Sequence, residues 1–146
     1  MRAFFATHTL FFLPSKPLLS LFCDFGTGSI YEGSGTATAN AVRAAFSRFS
    51  NQVQVSRHCS QLQCLITNSP VFDCYAVPTI LHWEDRATEW SGKVDKIEVK
   101  VVVYDRNQKV LTSQLIHGKS KWATFGGDHP QDLLPGAVNP YIESLY

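Results

Sequence analysis

From Lys96 to Tyr104 the chain reads KIEVKVVVY, and Ile97, Val99, Val101 and Val103 alternate with positions that carry Glu98 and Lys100. A period of two puts the four apolar side chains on one face of a strand and the charges on the other. Asp105-Arg106-Asn107-Gln108 then reads as a turn, and Lys109–His117 returns as the partner strand. The pair is a β-hairpin with one face in water. A lone hairpin is marginal in water, so the remaining sequence must extend the sheet and cover its apolar face.

The other segments fit that demand. Leu18–Phe25 is a short apolar run bounded by Pro17 and Gly26, as expected of a buried strand. Gly26–Gly35 is a loop in which Ser34 or Thr36 can cap the helix that follows. That helix is predicted over Thr36–Phe49, with Ala37, Ala41, Ala45, Val42, Phe46 and Phe49 at helical spacing and Asn51 beyond its end. Gln52–Ser56 is a short strand through Val53 and Val55. Within Arg57–Ser69, Leu62, Leu65 and Ile66 suggest a short helix. Val71–Trp83 is an apolar, central strand, and Pro78 places a bulge or an unpaired edge within it. Glu84–Asp95 is a polar loop carrying Trp90. Ser120–Gly127 is a loop or short edge strand. Asp128 caps a helix opened by Pro130, with helical pieces at Gln131–Leu134 and Ala137–Tyr146 separated near Pro135-Gly136. The fold class is therefore α/β: a single mixed β-sheet in the order β-α-β-(α)-β-β-β-α, helices packed on the sheet. At 146 residues and 45% hydrophobic content this is one domain, residues 18–146, behind an N-terminal segment 1–17.

Charge and cysteines narrow the function classes. Thirteen basic and twelve acidic residues leave a net charge of +1, so no strong field recruits nucleic acid or an anionic membrane. Cys23, Cys59, Cys64 and Cys74 lack zinc spacing. Three disulfide pairings are open, and scattered buried thiols are the simpler expectation. The first residues, MRAFFATHTLFFLPSKPLLSLFC, have the apolar content of a degenerate signal peptide, but His8, Pro14, Lys16 and Pro17 interrupt it. No run reaches the ~20 apolar residues of a spanning helix. Phe22 stands where a lipoprotein signal wants a small residue, which argues against lipidation of Cys23.

Three segments could carry chemistry. His82-Trp83-Glu84-Asp85-Arg86, with Glu89 and Trp90, follows a central strand, where α/β sheets often place their sites. Glu84 or Asp85 as general base, with His82 as acid, would make a hydrolase; His82 and Glu84, on one strand face, could share a metal ion with His129. Alternatively Arg86 pairs with Asp85 or Glu89 to close the loop, with Trp83 or Trp90 as a hydrophobic plug. In a third reading Trp83, Glu84, Asp85, Arg86, Glu89 and Trp90 form a recognition loop, since Trp and Arg anchor interfaces. Recognition is preferred to catalysis. Phe125–Pro130 holds a Gly-Gly turn whose donors Asp128 would occupy as a cap. Tyr31–Gly35 lacks both phosphate-loop patterns, and G-x-S-x-G, H-E-x-x-H and C-x-x-C are absent. No cofactor is expected.

The runs PTILHWEDRATEWSG, DKIEVKVVVYD and GKSKWATFGGDHPQDLL, with the earlier YEGSGTATANAVRAAFSRF, resemble a bacterial family of short proteins of unknown function, taken to be lipoproteins. The resemblance covers residues 30–49 and 75–146. It implies a cell-envelope or periplasmic location, with the membrane reached only through an N-terminal anchor, and brings no established activity. By element order the chain also resembles the α/β domains of envelope assembly lipoproteins, of the curli secretion and penicillin-binding-protein activator types. The expectation is a non-catalytic binding or assembly module with an envelope protein or glycan as partner. A hydrolase or metal protein built on His82, Glu84 and Asp85, or a purely structural domain, are the alternatives.

Overall fold

The computed structural model describes residues 17–20, 31–56, 59, 61–70, 72–85, 94–121 and 129–146. Five strands form one mixed sheet in the order β2-β1-β3-β4-β5. They are β1 (Pro17–Ser20), β2 (Gln54–Ser56), β3 (Cys74–Glu84), β4 (Lys96–Asp105) and β5 (Val110–Lys119). β1 pairs parallel with β2 and β3, whereas β3–β4 and β4–β5 are antiparallel. The helices are α1 (Ser34–Ser47), α2 (Leu62–Asn68) and α3 (Leu134–Glu143). The predicted element order and mixed sheet are those observed.

One face of the sheet carries the main core. Ile97, Val99, Val101 and Val103 of β4 are all at most 2% exposed. They meet Val42, Ala45 and Phe46 of α1 and Leu134, Val138 and Ile142 of α3 in one cluster. The last three recur every four residues, so α3 lays a single ridge on the sheet. Each large side chain buried in this way contributes about 1.5–3 kcal/mol. On the opposite face Leu65 of α2, with Cys59 and Phe72 on either side of that helix in sequence, covers the Tyr75–Val77 end of β3. The hairpin is closed at both ends. At the tip, Asp105 Oδ1 accepts the N–H groups of Asn107 and Lys109 at 2.8 Å, and Gln108 takes φ 67°. At the base, Asp95 N–H donates to Ser120 Oγ (2.9 Å) and Ser120 N–H to the Asp95 carbonyl (3.0 Å).

Several local expectations change. Helix α1 starts two residues early, from Gly33 in the left-handed region (φ 84°), with no side-chain cap bond from Ser34 or Thr36. The irregularity in β3 lies between Ile80 and His82, beyond Pro78, which stays in register opposite Val101. No break occurs at Pro135-Gly136. A 3-10 turn (Pro130–Leu133) runs straight into α3, and Pro135 occupies the first turn, where a missing N–H costs nothing. The 3-10 turn is capped by Asp132, whose Oδ2 accepts the His129 N–H at 3.0 Å. Asp128 lies outside the described residues, as do Leu21–Phe25 and most of the Glu84–Asp95 loop. Instead of scattered thiols, Cys59 and Cys64 form a disulfide (Cα–Cα 5.3 Å), and Cys74 is a free, buried thiol.

Candidate functional site

The sheet face that α2 leaves open is built by register. Across β3, β4 and β5, Thr79, Lys100 and Leu115 stand in one row and His82, Glu98 and His117 in the next. Glu84, Lys96 and Lys119 form the last row. His82 Nε2 lies 3.4 Å from Glu84 Oε1, so the two share a face as the strand period requires. His117 Nδ1 lies 3.5 Å from Glu98 Oε1. Beyond the end of β3, Asp85 Oδ1 comes within 3.9 Å of His129 Nδ1, a pairing that the sequence suggested only loosely. The last two pairs are well exposed, and such pairs contribute little to stability.

Trp83 has the plug role. It is 7% exposed and its ring belongs to the main core, opposite Ile97. Its neighbours Glu84 and Asp85 remain at the surface as the root of the proposed recognition loop, while Arg86, Glu89 and Trp90 lie outside the described residues. Among the described residues no group of three or more His, Cys, Asp or Glu side chains is placed to hold a metal ion. His82 with Glu84, and Asp85 with His129, stand as two separate pairs rather than one convergent site. General acid–base chemistry would ask for a substrate held against one of them, and the described clefts are elsewhere.

One cleft, of about 470 Å³, is lined by the side chains of Asn51, Gln52, Gln54 and Asn68 beside Phe72. A second, of about 350 Å³, runs between Gln114–His117 of β5 and the α3 residues Ala137, Pro140, Tyr141 and Ser144. Sequence reasoning did not single out this second groove. Its signal was available: no Asp or Glu occurs between Asp105 and Asp128. The described cysteines, Cys59, Cys64 and Cys74, offer no ready nucleophile. Burial, then the carboxylates of Asp73 and Asp105, push the Cys74 thiol up to about 12. Asn68 Nδ2 lies 3.2 Å from both disulfide sulfurs, holding its carboxamide over the Cys59–Cys64 bridge.

Comparison with known proteins places the architecture. The family described as "Domain of unknown function (DUF4823)" matches residues 20–145. No curated protein matches the chain. A PelC dodecamer of Paraburkholderia phytofirmans and a single-substitution variant of it, in different crystal forms, are similar in fold at a TM-score of 0.68 and 9–10% identity. The match covers 90% of this chain and 86–88% of that one. A hypothetical protein of Chlamydia trachomatis matches with a TM-score of 0.57 and 13% identity, over 89% of this chain and 98% of that one. At such identities the likeness is one of fold.

Proposed function

The chain belongs to the DUF4823 family of unknown function, and on that premise we propose that it is a non-catalytic binding or assembly module of the bacterial cell envelope. The observation that carries this reading is the Cys59–Cys64 disulfide. Structural disulfides persist in oxidising compartments such as the bacterial periplasm and are rare in the cytosol. The fold-level likeness to a protein that assembles as a dodecamer supports the assembly role. The described chemistry supports it too: the rows His82–Glu98–His117 and Glu84–Lys96–Lys119 on one sheet face suit recognition of a charged surface. In this reading Glu84, Asp85, Arg86, Glu89 and Trp90 contact an envelope protein or glycan, with Trp83 anchoring the loop root from below.

The test is fractionation of cells after alkylation of free thiols without reductant. The expected result is a periplasmic or membrane-bound chain with Cys59 and Cys64 protected from alkylation. A cytosolic chain with both thiols labelled would overturn the reading. For the loop, Trp90→Ala should abolish partner cross-linking in cells while the thermal unfolding midpoint stays within about 2 °C, as a surface change allows. An unchanged cross-linking pattern removes the loop as the contact.

A further inference from the structure

We propose that the outer edge of β5 and the facing stripe of α3 form a strand-addition groove for an extended, carboxylate-bearing segment of a protein partner. This deepens the binding-module reading and rests on it. Among the described residues β5, ten residues long, ends the sheet and pairs with β4 alone. Among the described residues its outward backbone groups make no other hydrogen bond, except that the Leu115 carbonyl accepts Gln114 Nε2 at 3.2 Å. Such an edge is a template for another strand. What distinguishes it from an ordinary edge is the adjoining groove of about 350 Å³. Ala137, Pro140, Tyr141 and Ser144 recur at i, i+3, i+4 and i+7, so one helix face looks onto the edge. Three of the four are small, which keeps the helix wall low. Tyr141 is held back by its hydroxyl contact to Thr112 Oγ1 at 3.3 Å. An added strand would continue the sheet beneath α3 and send alternate side chains into this space.

Charge selects the occupant. Lys109, His117 and Lys119 flank the edge, and no carboxylate lies on the chain from Arg106 to Gly127. The neighbouring strand adds Lys100 and Lys96 in the rows of Leu115 and Lys119, and Glu98 beside His117 between them. Two-fold pairing of β5 with a second copy near its middle would bring Lys109 toward Lys119, and like charges across a ladder repel. An incoming strand that alternates carboxylates on the face of His117 and Lys119 with apolar side chains toward α3 suits this edge, its carboxylates adding to Glu98 at His117 and to Glu84 in the Lys119 row. If the lysines serve only to guard the edge, no strand binds.

The experiment titrates the full-length protein with a capped nonapeptide alternating valine and glutamate, against one alternating valine and lysine. Calorimetry and backbone amide exchange are the readouts. The expected result is binding of the glutamate peptide with slowed exchange in residues 110–119. Affinity should fall at least tenfold in Ala137→Trp, or in Ser144→Trp should the first variant misfold. His117→Glu with Lys119→Glu should shift the preference at least tenfold toward the lysine peptide. Equal binding of both peptides, or no protection of β5, overturns the proposal. So does self-association of the protein alone that Ala137→Trp abolishes, since the occupant would then be a second copy. Failure here leaves the binding-module reading intact, because that reading fails only on a cytosolic, reduced chain.

Discussion

At the scale of single residues, the structure separates groups that look reactive from groups that are packed. Trp83 is packed: its ring lies opposite Ile97 in the core. Trp83→Ala should cost about 3–5 kcal/mol in denaturant unfolding, the usual loss for a buried aromatic. Gly118 is the complementary case. A Cβ there would meet Ile97 Cγ1 at 2.7 Å and Leu133 Cβ at 3.1 Å, so the 3-10 turn approaches β5 only because no side chain intervenes. Gly118→Ala should cost about 1–3 kcal/mol through overpacking. Cys74 makes a pH prediction. Its thiol is raised from 9.0 to about 12 in the folded chain, so the folded state keeps its proton where the unfolded chain has lost it. This contribution to stability is complete below pH 9 and disappears as pH rises toward 12. The urea midpoint should therefore fall across that window, less steeply in Cys74→Ala. Of these residues, His82 and Glu84 were legible in the sequence as one face because the strand period is two. The role of Trp83 was not settled, because a Trp at a strand end serves core and surface equally well until the opposing strand is in place.

Elements were legible where periodicity spoke alone. The hairpin β4–β5 was read almost to its ends, because four apolar residues alternate with charges and Asp105 opens the turn. Helix α1 was found from its apolar spacing, but its start was missed: Ser34 offered a cap, and the left-handed Gly33 took the position instead. Helix α3 was wrongly divided, since Pro135-Gly136 reads as a stop unless the helix is known to begin at Leu134. Helix α2 shows the other limit. Seven residues are too few to hold a helix by propensity, so tertiary contacts and covalent ties must hold it. Leu65 supplies the packing and Cys59–Cys64 the tie. Four cysteines permit three pairings, and only the fold selects one. Replacing both Cys59 and Cys64 by serine should cost about 2 kcal/mol, the entropy of closing so short a loop. Amide exchange should accelerate in residues 62–68 while β4 and β5 keep their protection.

At the scale of the molecule, the two faces of the sheet divide the work. Helices α1 and α3 seal one face, and their far ends are tied by the Arg48–Glu143 ion pair and the stacked Phe49 and Tyr146 rings, 4.4 Å apart. Among the described residues the other face is covered by α2 at one end and by no helix at the other, where Glu84, Lys96 and Lys119 share a row beside the root of the Trp90 loop. The loop root at Glu84 and the Lys119 end of β5 thus lie at one end of the sheet, so a single partner could touch both. Raising the salt from 50 to 500 mM should weaken partner capture several-fold if those rows are used, since exposed charges are screened over about 10 Å at 0.1 M. Pull-down across a salt series measures this, and a flat response would argue for an apolar contact instead. No helix among the described residues is long and apolar enough to cross a membrane.

The tip of the hairpin is moored. Arg106 pairs with Asp73 ahead of β3, and Gln108 Nε2 donates to Gln63 Oε1 of α2 at 3.1 Å. With Asp95 and Ser120 fastening the base, the β4–β5 hairpin is tied at both ends before anything docks on it. The consequence is kinetic. A partner strand would meet a template needing no rearrangement, so encounter should proceed at an ordinary protein–protein rate of about 10⁵–10⁷ M⁻¹s⁻¹. Selection among rival segments would then be decided by how long each one stays.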